Sequence, residues 1–108
     1  MIEVFYDIEN HGRTLTHRLT VSGHAGYAEK GKDIVCSAVS ILTYTLANKL
    51  DEDRAEGLSA DLSEGRSIIE CEAPAKDLII RNDFRQTLLG LELLEESYPQ
   101  YVSIDTEY

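Results

Sequence analysis

Cys36 and His24 are the pair in this sequence whose types and spacing suit nucleophilic chemistry. Both lie in GHAGYAEKGKDIVCSAVS, residues 23–40, where glycines at 23, 26 and 31 interrupt a loop leading into an apolar run. Asp33 immediately precedes Ile34-Val35. By type it is a helix N-cap, because its carboxylate can accept the N–H groups that a first turn leaves without partners. Cys36 is then the third residue of the helix, where the positive end of the helix dipole favours thiolate. His24 sits where a strand is expected to end, and a glycine-containing loop can fold its imidazole back to the thiol. Ser40, four residues after Cys36, shares its helix face. Nucleophilic catalysis needs a thiolate, a base within reach and donors for the oxyanion, and the N–H groups at a helix start can supply the donors.

The other candidates fit that chemistry less well. His11 falls in a turn, and His17 is in phase with apolar residues, as a core or interface histidine would be. Cys71 is in the inward phase of a strand and reads as an inert buried thiol. No CxxC, HxxxH or clustered ligand pair supplies the three or four ligands of a zinc site, so no metal is expected. Gly26 to Asp33 fits the phosphate-loop pattern G-x-x-x-x-G-K, with Lys32 as its lysine. Its eighth position holds Asp33, where the magnesium-binding hydroxyl belongs, and Glu29 adds negative charge. A nucleotide is therefore not the expected cofactor, and none other is implied.

The stretch from Gly23 to Ser40 resembles the signature of the bacterial ribosomal-processing cysteine protease family (Prp). It matches at Gly23, His24, Asp33, Cys36 and Ser40, and the likeness continues to Asn48-Lys49-Leu50. A second patch, Gly90-Leu91-Glu92 with Tyr98-Pro99-Gln100-Tyr101-Val102, is similar to the family's C-terminal end. The resemblance implies an α/β sandwich that assembles as a homodimer. It also implies a cysteine endopeptidase with Cys36 as nucleophile, His24 as general base and acid, and Asp33, Ser40 and Gly23 in support. The implied substrate is the N-terminal extension of a large-subunit ribosomal protein. Residues 25–32, including Ala25, Gly26, Tyr27 and Gly31, are expected to form a substrate loop that closes over bound peptide. A non-enzymatic ribosome-assembly module holding a basic protein segment is the competing expectation.

These residues need elements to hold them. Ile2, Val4, Tyr6 and Ile8 alternate with polar neighbours, as do Leu15, His17, Leu19 and Val21, so residues 2–8 and 14–22 read as strands joined by a hairpin turn at Asn10–Arg13. Residues 34–54 carry Val35, Val39, Leu42, Leu46 and Leu50 in one helical stripe, widened by Ile34, Ala38 and Ile41. Cys36, Ser40 and Thr43 lie off its centre, and Gly57 is the expected stop. Leu58–Ser63 and Ser67–Ala73 read as strands around Glu64-Gly65-Arg66. A second helix starts between Asp77 and Asp83, carries Ile80, Phe84, Leu88, Leu91 and Leu94, and stops at Pro99. Val102 and Ile104 mark a last strand before a loose Asp105–Tyr108. The order β-β-α-β-β-α-β, with one apolar face per element, predicts an α+β two-layer sandwich with a mixed sheet and two helices.

The 108 residues suit a single domain, 1–108. No apolar run approaches the roughly 20 residues of a membrane span, so no membrane partner is expected. The N-terminus, acidic and alternating, does not read as a signal peptide, and a cytoplasmic location is the expectation. Two cysteines give no disulfide framework. Twenty acidic against ten basic residues leave a formal net charge of −10. That argues against direct nucleic-acid binding, which needs a basic footprint, and suits a basic protein partner.

Overall fold

The structure is a computed structural model describing residues 1–29 and 32–107, the last by its backbone alone. Its elements are β1 (Ile2–Asn10), β2 (Thr14–Gly23), α1 (Ile34–Glu52), β3 (Glu56–Ser63), β4 (Arg66–Pro74), α2 (Leu78–Ser97) and β5 (Val102–Glu107). The five strands form one sheet in the order β3-β4-β2-β1-β5. Only β5 runs parallel to its neighbour, β1; the other pairs are antiparallel. Alternation along the strands sends Ile2, Val4 and Tyr6, then His17, Leu19 and Val21, then Ile69, Cys71 and Ala73 into one core with both helices. This is the two-layer α+β sandwich expected from the sequence.

The topology follows from the helices. β4 runs in the same direction as β5, and α2 carries the chain across β2 and β1 between them. β3 likewise runs in the same direction as β2, and α1 carries the chain past β4. Each crossover lays an apolar stripe on the sheet: Val35, Val39, Leu46 and Leu50 from α1, and Ile80, Phe84, Leu88 and Leu91 from α2. A Cβ at Gly90 would sit 2.7 Å from Leu42 Cδ2, so the bare glycine lets the two helices approach closely.

Several boundaries differ from the expected ones. α1 stops at Glu52 rather than 54, because Asp53 caps it and Arg54 turns to φ 55°. Gly57 does not end the helix; it lies in β3 at an irregularity in the pairing with β4. Ile34 and Ile41 do not widen the buried stripe but are exposed. Asp77 caps α2, accepting the N–H groups of Ile79 at 2.9 Å and Ile80 at 3.1 Å, which fixes the helix start at Leu78. The tail expected to be loose is paired: β5 follows β1 through Asp7↔Glu107, and of that tail Tyr108 lies outside the described residues. His17 is a core histidine, fully buried, 2.7 Å from Tyr6 Oη and stacked on Phe84. Burial, with the Arg81 charge second, holds its pKa below the usual imidazole value.

Candidate active site

One end of the sheet collects the chemistry. The start of β1, the end of β2, the start of β4 and the start of β5 meet there, in the register Ile2↔Gly23, Ser22↔Arg66 and Ile2↔Val102. Beyond β2 the chain must leave the sheet and reach the N-terminus of α1. Gly23 makes that exit with φ 93°, against the carbonyl of Met1, where any Cβ would collide with backbone. His24 follows on the surface. Its carbonyl accepts the Met1 amino group at 2.6 Å.

A cleft of about 810 Å³ opens between this exit, the first half of α1 and the turn between β3 and β4. Gly23, His24, Gly26, Asp33, Cys36 and Ser40 all line it, so these six positions of one stretch of sequence converge on one space. Two residues of the expected substrate loop do not line the cleft. Ala25 is buried in the core. Tyr27 packs edge to face against Tyr98 at 5.5 Å and Tyr101 at 5.2 Å between ring centroids. Gly31 lies outside the described residues.

Asp33 is the hub of the loop. One carboxylate oxygen accepts the Cys36 N–H at 3.0 Å, the helix cap foreseen from the sequence. The other accepts the N–H groups of Tyr27 at 3.1 Å and Ala28 at 3.4 Å. Burial opposes the charge, yet these three donors, with the Cys36 thiol as a fourth, outweigh it and hold the carboxyl below its usual pKa. Two consequences follow. The Cys36 N–H, an expected oxyanion donor, is already engaged, and the Ser37 N–H goes to the Asp33 carbonyl at 3.1 Å. Two of the amides that a phosphate loop would offer to a nucleotide, those of Tyr27 and Ala28, are also taken, by a carboxylate. Among the described residues His24 is not a partner of Asp33.

Both cysteines are free thiols; Cys36 is half-buried and Cys71 fully buried. Burial first, then the charges of Asp83 and Asp77, pushes the Cys71 thiol up to about 12, which keeps it protonated and unreactive. The cleft therefore presents one accessible thiol and one exposed imidazole in its lining. That combination can attack a carbonyl, hold the acyl group and return a proton.

The far wall was not legible in the sequence. Leu62, Glu64, Gly65 and Arg66 from the β3–β4 hairpin line the cleft, as do Ile41 and Tyr44 of α1. Glu64-Gly65-Arg66 reads only as a turn, and its place beside His24 depends on the strand order. The exposure of Ile41 and Tyr44 was the one available signal, since both stand off the buried stripe on the side of Cys36 and Ser40.

Comparison with known proteins identifies the fold and the family. The chain is 34% identical over 91 residues to the ribosomal processing cysteine protease Prp of Mycoplasma pneumoniae, covering 84% of this chain and 88% of that one. The corresponding protein of Mycoplasma genitalium is 31% identical over 91 residues, covering 82% and 87%. The fold matches that of the ribosomal processing protease Prp from S. aureus, crystallised with a covalently linked product peptide, with a TM-score of 0.82 at 22% identity over 99% of this chain and 100% of that one. The sequence model of the family described as cysteine protease Prp matches residues 1–103. The chain belongs to the cysteine protease Prp family and is a cysteine protease.

Proposed function

We propose that this protease is a cytoplasmic endopeptidase that removes the N-terminal extension of a large-subunit ribosomal protein, with Cys36 as nucleophile and His24 as general base and acid. The observation that carries the reading is the shared cleft: Cys36 and His24 line one space, and the second thiol is buried elsewhere. The client is supported by the relatives' designation as ribosomal processing proteases and by S. aureus structures holding substrate and covalently linked product peptides. The net charge of −10 favours encounter with a basic client. Assembly as a homodimer is part of the same proposal and rests on the family resemblance.

The chemistry is an acyl transfer in two halves. His24 takes the Cys36 proton, and the sulfur attacks the scissile carbonyl carbon. As the C–N bond breaks, the imidazolium gives its proton to the leaving amine, and the acyl group remains as a thioester. His24 then draws a proton from water, whose oxygen attacks the thioester; the C–S bond breaks, and the thiol is restored. Asp33 holds the helix start and the loop together around the thiol. Ser40 lines the same cleft one helical turn on.

The test is to incubate the protein with large-subunit ribosomal proteins bearing N-terminal extensions and to weigh both fragments by mass spectrometry. Cleavage at one bond, abolished in a folded Cys36→Ala variant, is expected. Intact clients throughout, or cleavage by Cys36→Ala at the normal rate, would refute the proposal. Light scattering tests the dimer.

A further inference from the structure

We propose that Gly65, in the turn between β3 and β4, is the positioning residue for His24. The turn is the seat of the imidazole, and the absence of a side chain there sets where the ring stands in the cleft. The proposal rests on the reading of His24 as base.

Two independent contacts tie this residue to the imidazole and its backbone. The Gly23 N–H donates to the Gly65 carbonyl at 2.9 Å, which fixes the chain one residue before His24. The His24 ring itself lies over Gly65: a Cβ there would stand 3.0 Å from Nε2 and 3.3 Å from Cε1. Those separations are tighter than ordinary van der Waals contact, so a Cβ would displace the ring by a few tenths of an ångström, and a longer side chain would compete for its place. Gly65 also has φ 78°, so the turn that closes the hairpin and the space left for the ring both call for glycine. His24 is exposed and otherwise free to swing about its two side-chain torsions. A fixed seat removes part of that freedom before substrate arrives. Proton transfer and attack both depend on sub-ångström placement, and misplacement by about 1 Å can cost on the order of 100-fold in rate.

Glycine substitution at a positive φ also strains the turn, so the test must separate strain from contact. Asn tolerates positive φ better than most residues, and Gly57, which lies in β3 at φ 62°, provides the control. A Cβ at Gly57 would meet only the Glu72 side chain, at 3.8 Å. Gly65→Asn is expected to lower kcat about tenfold or more, to leave KM within about twofold, and to shift the pH profile of kcat. Gly57→Asn should leave all three near wild type, at a comparable melting temperature. Normal kcat in a folded Gly65→Asn protein overturns the proposal, and so does an equal loss in Gly57→Asn. If Gly65→Asn does not fold, the wild-type protein decides. A nuclear Overhauser contact between the Gly65 α-protons and the His24 ring supports the seat, and its absence overturns it. His24→Ala separates the two readings. Normal turnover in that variant removes the base itself. An inactive His24→Ala beside a fully active Gly65→Asn removes only the seat.

Discussion

Tyr27 meets Tyr101 edge to face, with ring centroids 5.2 Å apart and planes at 78°. Tyr98 takes a similar position at 5.5 Å and 83°. The loop between His24 and Cys36 is thus held from the far end of the chain, by the corner between α2 and β5. Tyr98 and Tyr101, both in the second patch of family resemblance, form the docking surface for that loop.

Tyr27→Ala should therefore loosen the loop without unfolding the protein. Aromatic pairs of this kind contribute about 0.5–1.5 kcal/mol beyond their buried area, and Tyr27 is 42% exposed, which keeps the cost at the low end. The Ala28 amide should exchange its hydrogen faster, and KM should rise more than kcat falls. Tyr27→Phe keeps the ring and should behave as wild type. Unchanged exchange at Ala28 in Tyr27→Ala would mean that Asp33 alone holds the loop.

A thiol reagent should discriminate between the two cysteines. Cys36 opens on the cleft, whereas Cys71 is fully buried with its thiol pushed up to about 12. Iodoacetamide near neutral pH should label Cys36 alone in the folded protein and both thiols after denaturation. Equal labelling of the native protein would contradict the burial of Cys71.

The residues that failed and succeeded in the sequence reading divide on a physical line. Asp33 and the stripe Val35–Val39–Leu46–Leu50 act through neighbours within one helix, so local spacing reveals them. The hairpin partners Ile8↔His17 are likewise close in sequence, and the phase of His17 alone reads as a core or interface histidine, of which the structure shows the core one. Gly65 and His24 touch across 41 residues of chain, by way of α1 and a strand order that no local pattern encodes. The second oxygen of Asp33 belongs to the same class. Its role as a cap was visible, but its grip on Tyr27 and Ala28 depends on how the glycine loop folds back.

That second grip changes what Asp33→Asn should do. The isolated cap would survive, because Asn accepts the Cys36 N–H about as well as Asp. Its amide NH₂ must then face the N–H groups of Tyr27 and Ala28, donor against donor. The expected cost is about 1–2 kcal/mol from the lost loop bonds, with a rise in KM. A loss confined to kcat, with stability and KM unchanged, would instead favour Asp33 as a charge partner of His24. The wild-type carboxyl titrates below its unfolded value, so its contribution is present above about pH 4. It should fade as pH falls through the lowered folded pKa, and the Asp33→Asn protein should lose that part of the acid transition.

Electrostatic encounter predicts a salt dependence. With a net charge of −10 and a basic client, kcat/KM should fall as ionic strength rises from about 0.01 to 0.15 M, where the screening length shrinks from about 30 to 8 Å. kcat itself should hold, because the chemical step occurs within the cleft. A flat kcat/KM profile would leave the acidic surface a role in solubility only.

The least comfortable group in the protein is Asp83, and it makes the sharpest pH prediction. It is 8% exposed on α2, with Oδ2 lacking a hydrogen-bond partner among the described residues. Lys49 Nζ is 3.8 Å from its other oxygen but binds Asp53 more closely, at 2.6 Å. Burial, followed by the neighbouring Asp53 carboxylate, raises the Asp83 pKa to about 6. The folded protein therefore binds a proton that the unfolded chain releases near pH 4, and Asp83 becomes less costly as pH falls from about 7 to 5. His17 acts oppositely: its lowered pKa means the unfolded chain takes the proton first, so stability falls as pH drops through about 6.5. The two slopes partly cancel in the wild type. Asp83→Asn removes one of them while keeping the shape of the side chain. The variant should melt a few degrees higher than wild type at pH 7.5, about 4 °C for each kcal/mol recovered. Its melting temperature should then fall more steeply between pH 7.5 and 5. A lower melting temperature at pH 7.5 would show that the attraction to Lys49 outweighs burial and the repulsion from Asp53, reversing the sign assigned to this carboxylate.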